Sequence, residues 1–246
     1  MKYPHLLPLL ACTLGSAQAA TTLLDVQLSR TEAPRSEANL GTVGITTFNA
    51  GNPGPASQTI TYTITGLTLD SVGSGDDEVV ITMGIVATST SGAVTGIGAA
   101  FGAWGVEDGT GTASLVDPDE ALSFSITAAS VNLGAGAFET AEINFDGFTG
   151  FAALNVGAGE TFNIANTNSN DVTNFEAAPL PNDPDEGAAN IYTFTGTEDS
   201  FTVEGNTGAM RYAYITGGFT IDTIPEPSST SLLGLAGLSL ILRRKR

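Results

Sequence analysis

The run Thr59-Ile60-Thr61-Tyr62-Thr63-Ile64-Thr65 alternates threonine with a large apolar residue at every step, and this two-residue period limits what the chain can fold into. Successive side chains of a strand point to opposite faces, so Ile60, Tyr62 and Ile64 share one face and the four threonines share the other. β-Branched and aromatic residues suit a half-buried pleated surface, one face core and the other wet. Similar alternation marks residues 22–29, 43–48, 58–69, 78–87, 121–127, 141–148, 191–194 and 211–222 as strands. Breaks rich in Gly, Asn, Asp and Pro separate them, as at 49–55, 71–77 and 179–187, and no helical period appears between residues 20 and 223. Short strands at this spacing imply an all-β antiparallel β-sandwich. The form expected is jelly-roll-like, its first and last strands paired and both termini at the surface. The Pro-rich stretch 177–187 reads as a loop inside one domain spanning 20–223.

Residues 1–19 have the form of a cleaved signal peptide. Lys2 supplies the positive end, residues 6–14 are mostly apolar, and Ala17-Gln18-Ala19 fits the small-x-small rule, with Ala17 and Ala19 as the cleavage determinants. The Sec translocon and signal peptidase are the partners this implies. A rival reading takes Leu9-Leu10-Ala11-Cys12 as a loose lipoprotein box with Cys12 lipidated, but few apolar residues precede the cysteine and a better cleavage site follows it.

At the other end, Leu232 to Leu242 is an unbroken run of Leu, Ile, Gly, Ala and Ser, followed at once by Arg243, Arg244, Lys245 and Arg246. As a short hydrophobic helix at about 1.5 Å per residue the run reaches only ~17 Å, against a hydrocarbon core of ~30 Å, so it reads as a marginal anchor. The basic cluster predicts a cytoplasmic C-terminus, with everything upstream outside. Just before the run stands Ile224-Pro225-Glu226-Pro227-Ser228-Ser229, in which the two prolines hold the chain extended and withhold two hydrogen-bond donors.

Pro225-Glu226-Pro227, then an apolar stretch, then terminal arginines resembles the PEP-CTERM sorting signal of Gram-negative bacteria, here over residues 224–246. The resemblance implies an exosortase-like transpeptidase that cuts near the motif, transient residence in the inner membrane, and delivery to the cell surface or exterior in organisms that usually make exopolysaccharide. It covers about a tenth of the chain. A second stretch, Trp104-Gly105-Val106 followed by Asp117-Pro118-Asp119-Glu120-Ala121-Leu122-Ser123-Phe124, is similar to a strand-loop-strand pattern recurring in predicted β-sandwich ectodomains of the same proteins. Val116 stands there in place of the usual Ile or Leu, and no activity comes with the pattern.

Charge and missing residue types narrow the function classes. Of the 26 acidic residues all but Glu226 lie in 20–223, where the only basic ones are Arg30, Arg35 and Arg211. Phosphate backbones and anionic lipid are repelled by such a surface, so nucleic acid is excluded as a partner, while divalent cations and neutral sugars such as an exopolysaccharide are favoured. The single Cys and the single His, Cys12 and His5, lie in the leader, and 20–223 contains no Lys. That region therefore holds no Ser-His or Cys-His nucleophile, thiolate or imidazole zinc site, lysine Schiff base or disulfide.

Three constellations remain. Acidic turns at Asp76-Asp77-Glu78 and at Asp117, Asp119 and Glu120, with others at 107–108 and 183–186, offer the oxygen ligands calcium takes. No stretch fits an EF-hand loop, and Asn166, Asn168 and Asn170 have only its spacing; turn chemistry and solubility explain the acids equally well. Trp104, Tyr212 and Tyr214 could offer sugar rings an aromatic platform, against the plainer reading that they are core and that Trp104 is a plug with its N–H satisfied. The glycine-rich stretch 92–111 reads as a loop or bulged strand. Glu139 with Glu142, or Glu107 with Glu120, are possible pairs for a glycosidase acid and base, though the sequence selects neither. The expectation is a non-catalytic structural or interaction component of the envelope or exopolysaccharide. Its alternatives are a carbohydrate-binding module and a two-carboxylate glycoside hydrolase or lyase.

Overall fold

The computed structural model describes residues 19–29, 42–47, 56–70, 75–100, 103–109, 115–134, 139–155, 161–166, 168, 171–176, 191–208 and 210–225. The leader with Cys12 and Ala17, and the tail from Glu226 through Pro227, Arg243, Arg244, Lys245 and Arg246, lie outside them. Every regular element among the described residues is a strand. In chain order these are β1 (Ala20–Ser29), β2 (Thr42–Thr47), β3 (Ser57–Leu67), β4 (Asp77–Ser89), β5 (Gly96–Ala100), β6 (Ala103–Glu107), β7 (Glu120–Asn132), β8 (Glu139–Asn155), β9 (Thr161–Asn166), β10 (Val172–Glu176), β11 (Ile191–Glu198), β12 (Ser200–Thr207) and β13 (Met210–Pro225).

The strands form two antiparallel sheets. One has seven strands in the order β10-β9-β12-β7-β4-β3-β2; the other has six, β11-β8-β13-β6-β5, with β1 added to β13. β2, β3 and β4 make a meander within the first sheet, whereas the chain changes sheet at every connection from β6 to β9 and again from β10 to β13. The alternation that marked β3 holds: Ile60, Tyr62 and Ile64 are fully buried and the threonines between them are not. β4 follows the same rule, burying Val79, Ile81, Met83 and Ile85.

Aromatic rings hold the sheets together. Phe201 on β12 stacks on Phe124 of its own sheet with ring centroids 5.2 Å apart, and meets Phe148, Phe151 and Phe194 of the opposite sheet at 5.2, 5.4 and 5.1 Å. Such pairs add ~0.5–1.5 kcal/mol each beyond the area they bury.

The first and last strands pair over their whole shared length, from Ala20 opposite Thr223 to Ser29 opposite Tyr214. Ala20 and Pro225 therefore leave the sandwich at one end, here called the terminal end. The short β7–β8 connection puts Asn132 and Glu139 at that end too, and the β12–β13 connection puts Thr207 and Met210 at the far end. β13 continues past residue 223, and its last pair is Pro225 with Glu139. A residue without an N–H cannot donate to a ladder, and the first proline of the Pro-Glu-Pro motif is the last described residue of the sheet.

Candidate functional site at the far end

Four of the described carboxyls, Asp77, Asp108, Glu120 and Glu198, are buried, and Asp108 and Glu120 lie at the far end. β6 ends at Glu107, so Asp108 begins the turn beyond it and is 6 % exposed; β7 begins at Glu120, 1 % exposed. Ser89 is the cross-strand partner of Glu120 in the β4–β7 ladder, which places the two carboxyls beside the same serine. Ser89 and Ser91, at the end of β4, donate their hydroxyls to Asp108 Oδ2 at 2.7 and 3.2 Å. The Asp117 N–H donates to Glu120 Oε2 at 2.7 Å, and the Glu120 N–H donates back to the Asp117 carbonyl at 3.1 Å. This reciprocal pair closes a tight turn with Pro118 at its second position and Asp119, at φ 71°, at its third, the residue pattern of a type II turn.

A carboxylate close to another disfavours its ionisation, as burial does. Burial is the main reason the Glu120 carboxyl is pushed up from its ordinary range to about 8. The Asp117 N–H opposes that rise, while the charges of Asp108 and Asp117 add to it. Glycosidase chemistry separates its two carboxyls by about 5–9.5 Å across an open cleft. Glu120 and Asp108 are both enclosed, which is a different arrangement. Glu139 and Glu142 are three apart on β8 and so sit on its opposite faces. Glu107 is half-buried beside the enclosed Glu120 site.

The six acidic residues considered for calcium are divided between the two ends of the sandwich. Asp77, 1 % exposed, begins β4 at the terminal end and accepts the N–H groups of Leu69, Asp70 and Gly134. Strand alternation turns Asp76 and Glu78 the other way, Asp76 exposed and Glu78 half-exposed. Among Asp117, Asp119 and Glu120 only Asp119 is exposed. Among the described residues no three carboxylate, imidazole or thiol groups converge as a metal ion requires. Asn168 is spent on Glu198, a buried acid at the end of β11: its N–H donates to Oε2 at 2.5 Å, and its side-chain amide reaches the Thr197 carbonyl at 2.9 Å.

The aromatic candidates part company. Trp104 is fully buried and meets Phe124 edge-on at 5.7 Å, so its ring is a core plug and gives no platform to a sugar. Its Nε1 has no hydrogen-bond partner among the described residues, contrary to the expectation that a buried indole N–H would be satisfied. A bulge at Ala213 separates Tyr212 from Tyr214, breaking the alternation on which their shared face rested. Tyr214 is half-buried, and the Tyr212 side chain lies outside the described residues. Ala19, next to β1, is exposed.

On the outer face of the seven-stranded sheet an open trough of about 420 Å³ crosses β7, β12 and β9, with Asn163, Asp171, Thr202 and Glu204 along it. It exists because Glu204 pairs with Ala121, and Thr202 with Ala165, and an alanine fills little of the space beside a longer neighbour. No protein-family profile, curated protein or solved structure matches this chain.

Proposed function

We propose that the protein is exported and carried to the cell surface or extracellular matrix by its C-terminal sorting signal, and that the sandwich acts there as a structural or interaction component of the envelope or exopolysaccharide. The observation that carries this reading is the order of motif, apolar run and basic end over residues 224–246. The strand register supports it. Because β1 pairs with β13, the two chain ends leave the body side by side, and the Pro-Glu-Pro motif starts where the ladder stops. A transpeptidase reaching the motif then acts next to the end of the described ladder, at the edge of a folded body.

The test is fractionation of the native host. The wild-type chain is expected in the surface or medium fraction, and a Glu226→Ala/Pro227→Ala variant is expected to stay in the inner membrane. Equal partition of the two would overturn the role given to the motif. These two positions follow Pro225, the last residue of the described ladder, so the substitutions alter no described strand pair.

A further inference from the structure

Strand register sets two rows of side chains on the outer face of the seven-stranded sheet. In one row Glu204 of β12 lies between Ala121 of β7 and Asn163 of β9; in the next, Thr202 lies between Ser123 and Ala165. Val172 pairs with Ile164, so Asp171, just before it, stands beside Ala165. Thr202 and Asp171 therefore flank Ala165 from two strand spacings apart, about 10 Å. The alanine methyl is the floor of the trough, and Asp171, Asn163, Glu204 and Thr202 stand around it. Its volume of about 420 Å³ falls in the range of small-molecule sites.

The polar groups are oriented by the sheet. Asp171 Oδ1 accepts the Asn166 N–H at 3.1 Å, which fixes the carboxylate through one of its two oxygens. The Thr202 and Ser123 hydroxyls are bonded to each other at 2.7 Å. Asp171 and Glu204 are both exposed.

Few ligand classes suit this arrangement. An anion is repelled by the two carboxylates. A bare divalent cation needs more acids than converge here, since among the described residues no three come together. An extended peptide gains no backbone ladder, because β12 is paired on both sides, by β7 and β9, and β9 is paired by β12 and β10. An apolar segment finds little beyond two alanine methyls. A neutral sugar matches both parts: its C–H face packs on the methyl, and its ring hydroxyls donate to the carboxylates and bond the Asn163 amide and the Thr202 hydroxyl.

We propose that this trough binds a neutral polysaccharide, with one ring seated on Ala165 and its hydroxyls held by Asp171, Asn163, Glu204 and Thr202. The proposal rests on the reading of the sandwich as an interaction component outside the cell, and gives that role a ligand class and a face. An open trough suits a ring inside a long chain better than a free sugar, which an enclosed pocket would hold.

The experiment is affinity electrophoresis of the full chain in gels containing dextran, mixed-linkage β-glucan or galactomannan, with a poly-lysine gel beside them. Ala165→Tyr fills the floor without removing a polar group. Glu204→Gln and Asp171→Asn weaken the acceptors, and Asn144→Ala, exposed on β8 of the other sheet, is the control. The wild type is expected to be retarded by at least one neutral polymer. Ala165→Tyr should weaken that retardation about tenfold, the equivalent of losing one or two hydrogen bonds, and each carboxamide variant about three- to fivefold. Asn144→Ala should match the wild type. Thermal midpoints confirm that the variants fold, and the two carboxamide variants carry the test if Ala165→Tyr does not. Passage of the wild type unretarded through all three neutral gels, retardation unchanged in the trough variants, or retention by poly-lysine alone would overturn the site. None of these outcomes touches the sorting of the chain, which fractionation tests by itself.

Discussion

Asp77 and Gly134 are 57 positions apart in sequence, and the Asp77 carboxylate accepts the Gly134 N–H at 2.9 Å. Its other oxygen accepts the N–H groups of Leu69 and Asp70, so one buried side chain supplies acceptors to both the β3–β4 and the β7–β8 connections. These are the loops of the terminal end.

Replacing Asp77 by alanine leaves three backbone donors unpaired in a buried place. The expected cost is about 3 kcal/mol or more, since each such group loses ~1–3 kcal/mol of compensation. Asp77→Asn keeps one acceptor and should lose roughly half as much. Denaturant unfolding of both variants checks this. Equal and small losses would show that the carboxylate is not what ties these loops.

Gly205 lies where Pro118 and Asp117 cross β12. A Cβ there would run into the Asp117 carbonyl, a backbone atom with no flexible end to yield. Gly205→Ala is expected to destabilise the fold by about 1–3 kcal/mol through overpacking. Gly196 is the control, because a Cβ added to it meets nothing within 4 Å. Thermal midpoints should separate the two variants, with Gly196→Ala at or near wild type.

Phe201 is the ring on which both sheets converge, and Phe201→Ala removes its contacts with Phe124, Phe148, Phe151 and Phe194 together. The expected loss is ~3–5 kcal/mol, with Phe201→Leu well below that. A loss under about 1 kcal/mol would contradict its central place.

The strands that were legible in the sequence are those with a sustained period of two. β3 announces itself through Ile60, Tyr62 and Ile64, and the pairing of β1 with β13 follows from closing a sandwich. β9, β10 and β12 are short and carry Asn, Gly or acidic residues that also suit turns. β9 buries only Phe162 and Ile164, and β11 passes to β12 in the other sheet with Asp199 alone between them. β5 and β6 lie in the glycine-rich stretch and pair as a short hairpin from Gly96 with Glu107 to Ala100 with Ala103, where a loop or a bulged strand was expected.

The far-end site was half legible. Glu120 stood out as one of a cluster, but the sequence pairs it no more with Asp108 than with Glu107. Which acid is enclosed beside it is decided by where β6 ends and the chain turns, which sets Asp108 inward and leaves Glu107 half-buried. Trp104 misled for the opposite reason: an aromatic between glycines suits display and burial alike, and only the opposing sheet, through Phe124, encloses it.

The central functional claim is that the tail is a temporary address. Intact-mass spectrometry of the mature protein from its native host tests it most directly. The account predicts a chain beginning near Ala20 and ending close to Pro225–Ser228, with the apolar run gone. A mature protein that still carries Leu232 to Arg246 would contradict it and make the anchor permanent.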